Sequence, residues 1–264
     1  MAGSDGTIPL QRGILYGPVR SRRLGFSLGV NLLPDEIKAC SLDCRYCQYS
    51  WTGLRTNDPR DLAAHLPDRE GIVARLEARL KEISSKGEPL KAITFSGNGE
   101  PTLHPEFPAI AEDLVALRDR FAPDVRTAVL SNATRVGLES IRTALMRLDD
   151  PILKLDTGRP ETFRILNRPC AGFDWGGMLE GLRAMGPRIL IQTLFVTGSI
   201  DNSRDDEITA WAEEIGRIRP RSVQIYSLDR GPADGALRPV PRERLGEIAR
   251  FLQEETGIEG RVFS

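Results

Sequence analysis

The 264-residue chain predicts an α/β fold, an open partial barrel of six β/α units. Three observations carry this. Short apolar, strand-like runs alternate with helix-period stretches at intervals of roughly 25–35 residues, which argues for βαβ units and a parallel sheet. Glycine-rich or polar loops follow the strands directly. Six units are too few to close an eight-stranded barrel, so the sheet stays open.

In chain order, residues 1–15 read as a tail and 16–264 as one domain. Residues 16–25 form a turn-rich basic segment, and 27–33 a first strand that Pro34 stops. The loop 38–47 holds three cysteines, with a short helix fading before Gly53 and an irregular stretch over 56–68. A helix over 69–84 follows from Ile72, Val73, Leu76, Leu80 and Ile83 at helical spacing, with Gly87 as its stop. Strand 90–95 runs into Gly97, Asn98, Gly99 and Glu100, and a helix over 105–120 carries Phe107, Ile110, Leu114 and Leu117. The pattern continues with strand 125–130, helix 138–148, strand 152–155, a loop through Cys170, helix 175–185, strand 189–196, helix 204–218, strand 222–228 and helix 241–255. On such a fold reactive residues stand at the C-terminal ends of the strands.

Composition narrows the function. A net charge of -1 and a pI near 6.2 give no global attraction for nucleic acid or anionic membrane. The N-terminus has neither a basic nor an apolar signal region, and no apolar run reaches the ~18 residues of a membrane span. Three of the four cysteines cluster, which suits metal ligation in a reducing compartment, so a cytoplasmic location is expected.

Those cysteines are Cys40, Cys44 and Cys47, spaced Cys-x3-Cys-x2-Cys. Three thiolates in so short a loop wrap one metal centre and leave a coordination position open. Structural zinc wants four closed ligands, and electron-transfer iron-sulfur clusters usually take four cysteines. The alternatives are a zinc loop with a distant fourth ligand and a cysteine cluster that merely packs.

With Tyr46 before the last cysteine, the spacing resembles the signature of the radical S-adenosylmethionine (SAM) superfamily. The resemblance implies that Cys40, Cys44 and Cys47 hold a [4Fe-4S] cluster whose fourth iron is chelated by SAM. It implies that the Tyr46 backbone contacts the adenine and that Gly97, Asn98, Gly99 and Glu100 hold the methionine amine. Ser131, Asn132, Asp156 and Gln192, at the ends of strands three to five, become candidates for the ribose or carboxylate of SAM, or else caps and turn residues. Lys154 shares a strand face with Asp156. It is a candidate to bind an anion, to form a Schiff base with a carbonyl substrate, or to pair with Asp156.

Longer stretches, from Gly17 to Gly25, from Phe95 to Pro105, at Lys154 to Asp156 and at Asn167 to Pro169, resemble one branch of that superfamily. It comprises short stand-alone iron-sulfur oxidoreductases related to wyosine-type tRNA-modifying synthases. Arg22, Arg23, Arg168 and Arg230 are then candidates for substrate phosphate or carboxylate. Cys170 is a candidate hydrogen-atom donor, or a small buried residue. His104 reads as a supporting residue. No second cysteine group exists, so the substrate of the wyosine enzymes does not carry over. The expected activity is reductive cleavage of SAM to a 5′-deoxyadenosyl radical that abstracts hydrogen from a small-molecule, peptide or RNA substrate. A flavodoxin- or ferredoxin-like protein would supply the electron. The alternatives are an RNA-modifying enzyme of the same chemistry and a non-catalytic metal- or SAM-binding module.

Overall fold

A computed structural model describes residues 6–263. β1 (Leu15–Ser21) and β2 (Gly25–Val30) form an antiparallel hairpin, and the cysteine loop follows, pinned by the short pair β3 (Ala39–Cys40) and β4 (Leu54–Arg55). Then come α1 (Arg69–Lys86), β5 (Ala92–Phe95), α2 (Phe107–Phe121), β6 (Arg126–Ser131), α3 (Glu139–Leu145), β7 (Asp150–Lys154), α4 (Pro160–Leu166) and α5 (Trp175–Met185). β8 (Leu190–Leu194), β9 (Val196–Gly198), α6 (Asp205–Ile218), β10 (Ser222–Tyr226), β11 (Leu237–Pro239), α7 (Arg242–Thr256) and β12 (Gly260–Phe263) complete the chain.

The main sheet runs β1-β2-β5-β6-β7-β8-β10-β12, and every pair after the first is parallel. It curls into a half-barrel, as the alternation of strands and helices predicts. Side chains alternate across each strand. Leu28, Val30, Ile93, Phe95, Val129, Leu153, Ile191, Val223 and Ile225 join one core with the buried faces of the helices. Ser27, Thr94, Lys154, Gln192 and Gln224 occupy the opposite parity and line the concave face, where Ser27 and Thr94 hydroxyls bond at 2.7 Å. Register places Lys154 beside Gln192 and Gln192 beside Gln224. The inside of the half-barrel therefore carries polar side chains among apolar ones such as Ala128, Leu130, Ile152 and Leu190.

The helices form where local signals ask for them. Asp68 caps α1 by accepting from Gly71 N, Gly87 closes it in the left-handed conformation, and Ile72, Leu76, Leu80 and Ile83 are buried. The six expected strands are β2, β5, β6, β7, β8 and β10. Besides the short strands β3, β4, β9 and β11, three elements were not expected. Residues 16–25 hold most of β1, an edge strand whose register shifts between Tyr16 and Val19, around Gly17 and Pro18. α4 stands in an expected loop; Pro160 starts it, and Phe163 and Leu166 bury its inner face. β12 adds a short edge strand beside β10.

The tail expected over 1–15 falls partly on residues 1–5, outside the described residues. From Thr7, which is buried, the chain is bonded down: Ile8 N donates to Gln48 O (2.8 Å), Gln11 N to Asn98 Oδ1 (2.7 Å) and Gly13 N to Asp35 Oδ2 (2.6 Å). Among the described residues, no helix is long and apolar enough to cross a membrane.

Candidate functional site

At the C-terminal ends of the strands lies a cavity of about 520 Å³, and Cys40, Cys44 and Cys47 all stand on its wall. The loop carrying them is latched on several sides. Ala39 N donates to Asn98 O and Glu100 N to Ala39 O, which ties the start of the loop to the glycine-rich segment after β5. Asp43 N and Arg45 N donate to Asn167 O and Leu166 O at the end of α4. Within the loop, Cys47 N donates to Cys44 O, and Thr52 N to Asp43 Oδ1 (2.7 Å).

Burial pushes the Cys44 thiol up to about 11 and raises Cys40 further, with Cys44 and Glu100 adding to it. Without a cation these sulfurs keep their protons, which a metal centre would displace. Burial works against the Lys38 ammonium, but Cys47, Cys40 and Cys44 outweigh it and hold its pKa above the usual value. Two side-chain amides point at the sulfurs: Asn132 Nδ2 lies 3.4 Å from Cys40 Sγ, and Asn167 Nδ2 3.5 Å from Cys44 Sγ. Such N–H···S bonds tune iron-sulfur centres. Among the described residues, no three His, Cys, Asp or Glu side chains converge as ligands of a single ion. A cubane cluster takes one thiolate on each of three separate irons, so thiols that face one space without meeting at a point suit it.

Two buried carboxylates brace the wall. Glu100 is 1 % exposed and accepts from Thr102 N (3.1 Å), Thr102 Oγ1 (2.6 Å), Ser131 Oγ (2.8 Å) and Asn132 N (2.6 Å). Burial still raises its pKa against those four bonds. Asp156 accepts from Tyr46 OH, Asn167 Nδ2 (2.8 Å) and Leu194 N (2.8 Å), and Lys154 Nζ lies 3.1 Å from it. Lys154 Nζ also donates to Tyr226 OH (2.7 Å) and sits 4.8 Å from the Tyr46 and Tyr226 ring centres. Burial opposes its charge most strongly of any single cause, but Asp156 and Tyr226 together outweigh it and hold its pKa above the usual value. A Schiff-base lysine needs a neutral amine, so this geometry favours the ion pair.

A family model described as the radical SAM superfamily matches residues 37–212, two thirds of the chain. The chain belongs to the radical SAM superfamily. A UPF0026 protein of Methanocaldococcus jannaschii is 29% identical over 247 residues, covering 92% of this chain and 72% of that one. Among solved structures, a radical SAM methyltransferase from Sphaerobacter thermophilus matches with TM-score 0.62 and 14% identity, over 90% of this chain and 65% of that one. Streptococcus suis SuiB bound to S-adenosylmethionine matches with TM-score 0.59 and 14% identity, over 89% of this chain and 50% of that one. At such identity the two structures speak to the fold alone, and this radical SAM chain spans less than two thirds of either.

The half-barrel brings some of the expected radical SAM residues together and separates others. Tyr46, Gly97, Gly99, Gln192, Arg22, Arg23 and Arg230 line the same cavity as the cysteines. Asn98 is fully buried behind it; its side chain donates to Gln11 O and Pro34 O. Ser131, Asn132 and Asp156 act through the bonds above. Cys170 and Arg168 lie elsewhere, on a depression of about 710 Å³ that also takes in Arg55 and Trp175. Cys170 N donates to Ser41 O, which holds it behind the cysteine loop, and Arg168 stacks on Trp51 at 4.8 Å, 3.4 Å from Asp43. His104 is buried, with Nε2 at Pro67 O and Nδ1 accepting from Glu106 N. Asn167 and Tyr226 of the site were not among the sequence candidates. Asn167 had a signal, the Asn167 to Pro169 segment. Tyr226 had none beyond its place at a strand end.

Proposed function

We propose that this protein is a radical SAM enzyme: Cys40, Cys44 and Cys47 hold a [4Fe-4S] cluster, SAM binds beside it in the cavity, and a substrate radical is generated there. The observation that carries this is the three thiols on one cavity wall, beside Lys38 and met by the Asn132 and Asn167 amides. When bound, the cluster and SAM supply one-electron cleavage of SAM to methionine and a 5′-deoxyadenosyl radical, which takes hydrogen from the substrate.

The chain's own residues prepare the space. Lys38 offsets the negative charge of the thiolates, and its Nζ is fixed by donating to Ser50 O at 2.7 Å. Gly97 and Gly99 bring bare backbone to the wall where the SAM amine would sit, and Glu100 holds Ser131 and Asn132 in place behind it. Gln192, fixed by accepting from Tyr226 OH (3.1 Å) and donating to Gln224 (3.2 Å), presents an amide to the ribose or carboxylate. The Tyr46–Asp156–Asn167 group locks the loop against the barrel end. A flavodoxin- or ferredoxin-like protein would deliver the electron.

Anaerobic reconstitution tests this. About four irons and four sulfides per chain, with dithionite-dependent formation of methionine and 5′-deoxyadenosine, are expected, and Cys44→Ala should lose the iron. Stoichiometric zinc without cleavage of SAM would refute the reading.

A further inference from the structure

The charges on the cavity wall are out of balance. Arg20, Arg22, Arg23, Lys38 and Arg230 stand there against one acid, Asp229. The whole chain carries 36 basic and 37 acidic residues, so this excess is local. Lys38 answers the thiols, and Asp229 is taken by Arg22 at 3.0 Å. Among the described residues, Arg20, Arg23 and Arg230 have no carboxylate within 4.0 Å, and Arg230 is held only by Gln48 at 3.5 Å.

Arg23 is the most constrained of these. Its guanidinium stacks over the Tyr226 ring at 4.7 Å, and its side chain makes no hydrogen bond to the described residues. One of its nitrogens, Nη1, is buried with no hydrogen-bond partner among the described residues. The ring beneath it cannot drift, because Tyr226 OH is held by Lys154 Nζ and by Gln192. Protein interiors rarely leave a buried polar group unbonded, and such exceptions concentrate where a ligand is expected. A planar guanidinium, positioned by stacking and with its donors unused, fits a phosphate or carboxylate edge-on. Arg22 and Arg23 reach the cavity because the turn between β1 and β2 crosses the open side of the half-barrel to meet the segment after β10.

We propose that the substrate of this cavity carries a compact anionic group, a phosphate or a carboxylate, and that Arg23 receives it, with Arg20 and Arg230 adding field. Calling the bound molecule a substrate rests on the proposed function; the anion site does not. The cavity, at about 520 Å³, is of a size for small molecules and not for a folded partner.

Calorimetric titration of the reconstituted protein, saturated with SAM, tests this with two probes at low salt, inorganic phosphate and succinate. One of them should bind once per chain and weaken as salt rises. Arg23→Gln should weaken it at least tenfold, Arg23→Lys should restore part of the loss because charge returns without the fork, and Arg188→Gln, remote from the cavity, should bind as wild type. Phosphate alone would indicate a phosphorylated substrate, and succinate alone a carboxylate. Failure of both probes to bind overturns the proposal, as does wild-type affinity in Arg23→Gln. Competition is also read: if anion binds only when SAM is omitted, Arg23 serves the SAM carboxylate and the proposal falls. Because no turnover is needed, Arg23-dependent binding without SAM cleavage would sink the proposed function alone, and the converse would sink only this inference.

Discussion

Glu100 shows what a single residue contributes here. Its position, one residue past Gly99 at the end of a strand, marks it in the sequence as an acid for an ammonium group. Its oxygens in the fold instead take four protein donors, three of them crowded on Oε1. The carboxylate thus joins the loops after β5 and β6, and Asn132, which it holds, reaches Cys40. Glu100→Ala leaves Thr102 N and Asn132 N without partners in a buried setting, and a loss of about 2–6 kcal/mol is expected from two unsatisfied donors. Glu100→Gln keeps Oε1 but turns an amide toward Asn132 N, so it should fall between. Urea unfolding measures the difference, and unchanged stability in Glu100→Ala would remove the bracing role. Lys154 was equally visible in the sequence, but its pairing depends on Asp156 and on Tyr226, 72 residues further along.

At the scale of elements, the cysteine loop and the glycine-rich segment depend on one close approach. Gly99 has φ +143, and a Cβ built on it would lie 1.7 Å from Ala39 O, the residue before Cys40. Only glycine allows that backbone contact. Gly99→Ala must therefore push β3 away, and the expected result is loss of iron loading together with lower thermal stability. Gly13→Ala, where nothing lies within 4 Å, separates crowding from positive φ alone, because Gly13 has φ +79. Full iron content in Gly99→Ala would show that the loop does not need this contact. The sequence signals for most elements were local and strong, as in the caps of α1. β1 was hidden by Gly17 and Pro18, which interrupt its strand pattern, and β12 by its length of four residues. Edge strands have little periodicity to read.

Over the whole molecule, buried titrating groups set how stability responds to acid. Burial holds the His104 pKa below its usual 6.5. Its neutral ring bonds Pro67 O through Nε2 and accepts from Glu106 N through Nδ1, and a second proton would face that N–H. The unfolded chain therefore protonates first, and stability falls as pH drops from about 6.5 through the folded value. Glu100 runs the other way: its raised pKa means the folded state takes its proton first, so acidification relieves part of its burial. For Asp149, burial is outweighed by bonds from Thr127 and Arg118, which depress its pKa, so its contribution is lost only in stronger acid. The urea midpoint is expected to fall between pH 7.5 and 5.5, and His104→Gln should flatten that slope. An equal slope in the variant would assign the effect elsewhere.

The sequence by itself determined the alternation of strands and helices, the polar candidates at the strand ends and the three-thiol loop, because each is written in spacings of a few residues. Tertiary structure decided the rest. Tyr46 meets Asp156 across 110 residues and Arg22 meets Asp229 across 207, and such contacts exist only once the sheet has curled. That curl carries Arg23 onto Tyr226 and leaves Cys170 and Arg168 behind the loop. Local pattern fixes which face a side chain takes, while the closure of the sheet fixes what it faces.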